Sequence, residues 1–254
     1  MTEAVVTDAA VPARRVRVIG AGRAGGSFAA ALAAAGWTVH GPLNRTDDIA
    51  GAADGVDLVL ICVSDRAVAE VAALIEPSPL VVVAHIAGSL GLDVLASHPR
   101  RGAVHPLVSL PDAALGATRL DGAWFAVAGD GLDSAQLIDA IVATLHGRSF
   151  AIADADRVAY HAAACIAANH LVALLGQVER VAASTGAPFE AYLDLVRGAV
   201  ENVAAVGPAA ALTGPAARGD LATIERHLAA IDPSERPAYE ALADQARRLV
   251  GRVA

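Results

Sequence analysis

The sequence predicts an α/β protein: an N-terminal parallel sheet followed by an all-helical C-terminal domain. Three observations carry this reading. The apolar run Val16-Arg17-Val18-Ile19 leads into Gly20-Ala21-Gly22-Arg23-Ala24-Gly25 and then an alanine-rich helical stretch to Gly36. From residue 14 to about 153, short β-rich runs alternate with helical runs, as in strands joined by helical crossovers. Beyond that point the strand signal stops and helical periodicity continues to the end.

The glycine motif is the Rossmann fingerprint in its required strand–turn–helix setting. Gly20 permits the tight turn, Gly22 lets the main chain approach a pyrophosphate, and Gly25 lets helix and strand pack closely. Arg23 and Ala24 open the helix, whose free N–H groups and positive dipole end suit phosphate. The second strand, Trp37-Thr38-Val39-His40-Gly41, is followed by Pro42-Leu43-Asn44-Arg45-Thr46, and no carboxylate appears until Asp47. A carboxylate at this point would hold ribose hydroxyls and repel a 2′-phosphate, whereas a guanidinium grips a phosphate through charge-assisted hydrogen bonds. Arg45, flanked by Asn44 and Thr46, is therefore the expected 2′-phosphate clamp, and the expected cofactor is NADP. The Asn-Arg-Thr triplet resembles the one 6-phosphogluconate dehydrogenases use for NADP.

The remaining strands are expected at 56–63, 80–85, 103–105, 124–128 and 149–152, after the first two at 15–20 and 38–41. Asp57-Leu58-Val59-Leu60-Ile61-Cys62-Val63 is apolar almost throughout, as a strand covered on both faces must be. Helices are expected at 155–185, 188–205, 220–231 and 233–253, separated by turns at Gly186-Ala187-Pro188, Gly207-Pro208 and Asp232-Pro233. The domains are thus a mobile leader at 1–13, a Rossmann domain at 14–153 and a helical substrate and dimerisation domain at 154–254. The leader has no basic segment before an apolar one and does not read as a signal peptide.

Composition narrows the partners. The 254 residues are 55% hydrophobic and 18% charged, with a net charge of −8 and arginines scattered along the chain. No basic run favours nucleic acid. The apolar stretch 159–177 is interrupted by His161, Asn169 and His170, which argues against a membrane span. Cys62 and Cys165 have no metal-ligand spacing and read as buried thiols of a cytoplasmic protein, and no metal site is expected. The alanine-rich helical faces, such as 162–168, suggest a homodimer.

In an open α/β sheet, ligands lie beyond the carboxyl ends of the strands. Val63 and Ser64 border the expected cofactor there, although Ser64 and Asp65 serve equally well as helix caps. Gly88 and Ser89, in the turn after the fourth strand, either approach the nicotinamide end, with Ser89 donating a hydrogen bond to substrate, or simply form a glycine-serine turn. His105, ending the fifth strand, either touches substrate or is structural. On the long helix, His161, Cys165 and Asn169 recur every four residues, so His161 and Asn169 stand about 80° apart and about 12 Å along the axis of an ideal helix. Hydride delivery to a ketone builds alkoxide character that needs a proton or a hydrogen-bond donor. An imidazole with an ordinary pKa near 6.5 supplies the proton and an amide the hydrogen bond, so His161 and Asn169 are the catalytic candidates. Thr213 and Arg218 are candidates for a small anionic substrate, with Asp220 a rival cap for the helix that follows.

A Rossmann unit entering an all-helical domain through one long helix resembles the 6-phosphogluconate dehydrogenase-like superfamily, which includes ketopantoate and pyrroline-5-carboxylate reductases. Tyr160-His161-Ala162-Ala163-Ala164 and Leu212-Thr213-Gly214-Pro215-Ala216-Ala217-Arg218-Gly219-Asp220 are similar to Rossmann-like proteins carrying a C-terminal domain of unknown function 2520. The resemblance implies an NADPH-dependent reductase of a small carboxylate-bearing 2-oxo acid, with ketopantoate (2-dehydropantoate) the first expectation. It also implies a Lys and an Asn projecting from the long helix; here Asn169 is present and the Lys is missing. The missing Lys leaves open an imine reductase, oxidation of a hydroxy acid, or a non-catalytic NADP(H) sensor.

Overall fold

In the computed structural model, which describes residues 13–44 and 46–250, seven strands form one sheet in the order β2-β1-β3-β4-β5-β6-β7. They are β1 Arg15–Ile19, β2 Thr38–Leu43, β3 Leu58–Ile61, β4 Val82–His85, β5 Arg101–Pro106, β6 Trp124–Gly129 and β7 Arg148–Ala151. Every strand expected from the sequence is present, with ends displaced by a few residues. The expected leader at 1–13 lies, except for its last residue, outside the described residues.

The order reverses between β1 and its neighbours β2 and β3, which creates the crevice where such sheets take ligands. Helices α1 Arg23–Ala34, α2 Asp65–Leu74, α3 Ala113–Leu120 and α4 Leu132–Thr144 accompany the strands. Alternation along β3 shows why that strand is apolar throughout. Leu58 and Leu60 face a core shared with Phe28, Leu32, Phe125 and Ile141, while Val59 and Ile61 face another with Val68, Val83 and Leu95. All four β3 residues are fully buried.

The sheet departs from the expected all-parallel arrangement at one place. β5 and β6 pair antiparallel, with Pro106 opposite Phe125, so β6 and β7 run against the first five strands. The cause is α3, which follows β5 and packs against α1 rather than crossing the sheet. The chain therefore re-enters at the end it left, and Leu107 N–H donates to Trp124 O across the junction.

The helical part comprises α5 Arg157–Cys165, α6 Leu171–Ala183, α7 Phe189–Val206, α8 Pro208–Ala211, α9 Pro215–Arg218, α10 Leu221–Ala230 and α11 Arg236–Val250. The single helix expected over 155–185 is not uniform, because a π turn at Ile166–His170 separates α5 from α6. By length and composition Asp154–Ala183 is apolar enough to cross a membrane, but its first turns carry the buried Arg157 and the half-buried Tyr160 and His161. Two compact units divide the chain, Met1–Ala167 and Ala168–Ala254, so α5 belongs with the sheet. Within the second unit, Asp220 caps α10 by accepting from Thr223 N–H, and Arg180 pairs with Glu235 to tie α6 to the start of α11.

Candidate active site

The dinucleotide cradle is built as the glycine spacing requires. Gly20 has φ +114°, and a Cβ there would stand 2.3 Å from Cys62 O. A Cβ on Gly25 would stand 1.8 Å from Gly20 O, so this glycine is what lets α1 close on the loop. Gly22 differs: a Cβ there meets nothing within 4 Å. It is the N-cap of α1 with no side-chain capping bond, and it leaves open space before the helix N-terminus, as a pyrophosphate cradle requires. Arg23 is exposed, Ala24 half-buried, and Val63 Cγ1 lies beside the Gly20 position. These residues fit a dinucleotide.

At the end of β2, Asn44 Oδ1 accepts from Thr46 N–H at 3.0 Å and from Thr46 Oγ1 at 2.6 Å. Asn44 N–H donates to Asp47 Oδ2 at 2.7 Å. Asn44 and Thr46 thus hold a turn, and Arg45 lies outside the described residues. Ser64 is an exposed N-cap of α2 whose hydroxyl makes no capping bond. Ser89 donates its hydroxyl proton to Asp65 Oδ2 at 2.6 Å. That proton is committed, so Ser89 can offer a substrate only its oxygen, contrary to the donor role expected from the sequence.

Beyond β4 and β5 the structure assembles a group of rings. Buried His85 accepts from Ala87 N–H at Nδ1 and contacts Gly91 O through Nε2, which fixes the chain leaving β4. That chain passes Gly88, where a Cβ would stand 2.7 Å from His161 Cδ2 and 2.8 Å from His105 Nε2. The glycine is needed because two imidazoles abut the main chain. His105 and His161 meet edge to face with centroids 5.9 Å apart, and His105 Nδ1 is 2.6 Å from the Tyr160 hydroxyl. Tyr160 is held in turn against Phe150, which packs on Trp124.

Charge around this group is arranged asymmetrically. Burial, the neighbouring His161 and Arg157 all disfavour protonation of His105, bringing its pKa down to about 4. His105 is therefore neutral at pH 7. Burial pushes the Tyr160 phenol up to about 12, partly offset by the Arg157 guanidinium. Arg157 is fully buried and its Nε donates to Asp154 at 3.0 Å, while Nη1 and Nη2 have no partner among the described residues. His161 Nε2 lies 3.9 Å from Cys165 Sγ, and that thiol is half-buried rather than buried as expected; Cys62 is buried.

The structure thus brings together His105 and His161. Ser89 sits in the same turn region but is bonded to Asp65. Asn169 lies in the second unit, exposed on the π turn, which also breaks the α-helical register behind the expected 80° offset. Thr213 and Arg218 are exposed residues of the second unit. Thr213 lines an apolar cavity of about 570 Å³ among α6, α10 and α11 that also holds Tyr192, His227 and Tyr239. Arg218 ends the short α9.

Tyr160 escapes the sequence reading as a site residue. It adjoins His161 in sequence, but its partner is 55 residues away. Gly88 is legible as a glycine of the turn after β4, but the two rings beside it are not.

Comparison with known proteins agrees with this architecture. Residues 123–246 match the family described as Domain of unknown function (DUF2520). No curated protein gives a significant match. Among solved structures, a Bacteroides fragilis protein provisionally assigned as an NADP oxidoreductase is 22% identical. The match covers 93% of this chain and 98% of that one, with a TM-score of 0.80. A reductive aminase from Aspergillus terreus, in complex with NADPH and ethyl-5-oxohexanoate, is 15% identical, covering 93% and 94% with a TM-score of 0.70. Plasmodium falciparum pyrroline carboxylate reductase with NADP bound is 16% identical, covering 93% and 98% with a TM-score of 0.61. Residues 123–246 are thus similar to the DUF2520 family, and the chain shares the Rossmann-like fold of these solved structures.

Proposed function

We propose that this protein is an NADP-dependent oxidoreductase that reduces a small carboxylate-bearing carbonyl compound, with ketopantoate the first substrate to test. The observation that carries the reading is the gathering of His105, Tyr160 and His161 at Gly88. It lies on the carboxyl edge of the sheet, the edge where Gly22 opens the α1 N-terminus. Bound NADPH supplies a hydride. The chain's own residues would do the rest: the Gly20–Gly25 turn would hold the pyrophosphate, Arg45, on the sequence reading, the 2′-phosphate, and the ring cluster would meet the charge that develops on substrate oxygen. His161 is the catalytic candidate of the cluster; Asn169 as a second catalytic residue and Thr213 and Arg218 as substrate-binding residues rest on the sequence reading alone. The solved structures named for pyrroline carboxylate reductase and reductive aminase favour imine reduction as the second reading.

The protein acts in the cytoplasm on a soluble anion, without nucleic acid or membrane. Its assembly is a homodimer through α7, where Leu195, Val200, Val203 and Val206 are exposed and no residue is buried. Light scattering reads that assembly directly; a monomeric mass at working concentration contradicts it. Function is tested by following NADPH oxidation with ketopantoate and with a cyclic imino acid. The reading expects turnover with ketopantoate, and turnover lowered by about 100-fold in His161→Ala with NADPH affinity unchanged. Near-normal turnover in that variant removes His161 from the mechanism. NADPH binding without turnover on either compound overturns the reductase reading in favour of a sensor.

A further inference from the structure

We propose that Tyr160 and His105 form a proton relay, in which the Tyr160 hydroxyl donates to His105 Nδ1 and the His105 Nε2–H is the donor presented to the substrate beside Gly88. The inference rests on the reductase reading and names a second donor within that site, one on a strand rather than on the long helix.

The geometry comes first. The Tyr160 hydroxyl and His105 Nδ1 are 2.6 Å apart, a short hydrogen bond for a neutral pair. The other ring nitrogen, Nε2, points to the Gly88 backbone, where a single methyl group would touch it. A side chain of any size at residue 88 would close this approach. The two residues reach each other from separate elements, β5 and α5, and both are locked by packing. Tyr160 meets Phe150 edge-on with centroids 5.8 Å apart, and His105 meets both Tyr160 and His161 edge-on. This packing holds Nδ1 at the phenol, and with the phenol donating, the proton of the neutral ring is on Nε2.

The charged and titratable groups facing His105 are Asp65 from α2, His85 from β4, and Arg157 and His161 from α5. Burial above all, with His161 and the Arg157 guanidinium beside it, keeps His105 neutral, so it transmits a proton rather than storing one. When hydride reaches the carbonyl carbon, the C=O π pair becomes an alkoxide. The alkoxide takes the Nε2 proton as Nδ1 takes the phenolic proton, and the negative charge ends on the Tyr160 oxygen. An alkoxide is a far stronger base than a phenolate, so the transfer runs downhill. The buried Arg157 guanidinium lowers the energy of that phenolate, and a proton from solvent restores the phenol after product leaves. Arg157 is therefore a positioning residue, acting through Tyr160.

The test reads the tautomer without any substrate. Nitrogen-15 spectra of histidine-labelled protein should show His105 protonated at Nε2 with Nδ1 accepting, and Tyr160→Phe should shift both signals. The same variant should lower kcat for ketone reduction by about 100-fold while substrate KM and NADPH affinity stay within about twofold. His105→Gln keeps an N–H donor but cannot relay, and should fall at least as far. An Nδ1–H tautomer in the unaltered protein, or Tyr160→Phe with unshifted His105 signals or undiminished kcat, overturns the relay. Wild-type protein that reduces nothing overturns the reductase reading separately, and the relay geometry then stands or falls on the spectrum.

Discussion

Gly88→Ala is the most discriminating single substitution in this site. The added Cβ would stand 2.7 Å from His161 Cδ2 and 2.8 Å from His105 Nε2, where ordinary contact begins at 3.4 Å. Neither neighbour is backbone, so the rings give way, and overpacking of this kind costs about 1–3 kcal/mol of stability. The fold survives that loss. The His105–Tyr160 bond does not, because displacing the His105 ring draws Nδ1 off a 2.6 Å contact with a Tyr160 ring that is itself packed edge-on against Phe150. Misplacement of a reacting group by about 1 Å costs about 100-fold in rate. The expected outcome is turnover reduced by that factor, with NADPH affinity unchanged, because the pyrophosphate cradle is made by other residues. Steady-state kinetics beside fluorescence titration of NADPH separates the two quantities. Wild-type turnover in a folded Gly88→Ala protein would refute the placement of chemistry at this glycine.

Further expectations follow from the glycine loop and from His105. Gly22→Ala should leave thermal stability unchanged, since its Cβ meets nothing, but weaken NADPH binding by about tenfold or more by filling the cradle. Gly25→Ala, whose Cβ would lie 1.8 Å from Gly20 O, should lower the melting temperature itself; the opposite ranking in paired melts and titrations contradicts the loop assignment. His105 stays neutral in the folded protein down to about pH 4, whereas an unfolded chain protonates it below about 6.5. Between those values the unfolded state binds more protons, so stability falls as pH falls through the window. His105→Gln should flatten that decline between neutral pH and about 5 in urea denaturation, and equal slopes would count against a buried neutral imidazole.

The sequence and structure diverge where contacts are non-local. Every strand was legible because β1, β3 and β4 are short apolar runs between turns, and the Gly20–Gly25 turn announces itself by spacing. The reversal at β6 was not, because nothing in 107–123 says that α3 packs on α1 instead of crossing the sheet. The histidines could be named individually, but not their company. Ser89 looks like a free donor until Asp65, 24 residues earlier, takes its proton. Tyr160 and Arg157 lie in the first turns of a helix whose histidine draws attention first. Their weight comes from His105 and from burial, neither of which is written locally. The π turn at Ile166–His170 is equally silent, since alanine-rich sequence fits α and π hydrogen bonding alike.

The central claim is that this Rossmann unit delivers a hydride from NADPH to a carbonyl held at the His105–Tyr160–His161 cluster. Its most direct test is the initial rate of NADPH oxidation with ketopantoate, measured beside NADH under identical conditions. The account predicts turnover that prefers NADPH, through Arg45, and that collapses in Gly88→Ala. Binding of NADPH with no oxidation of it, by ketopantoate or by a cyclic imino acid, would contradict it.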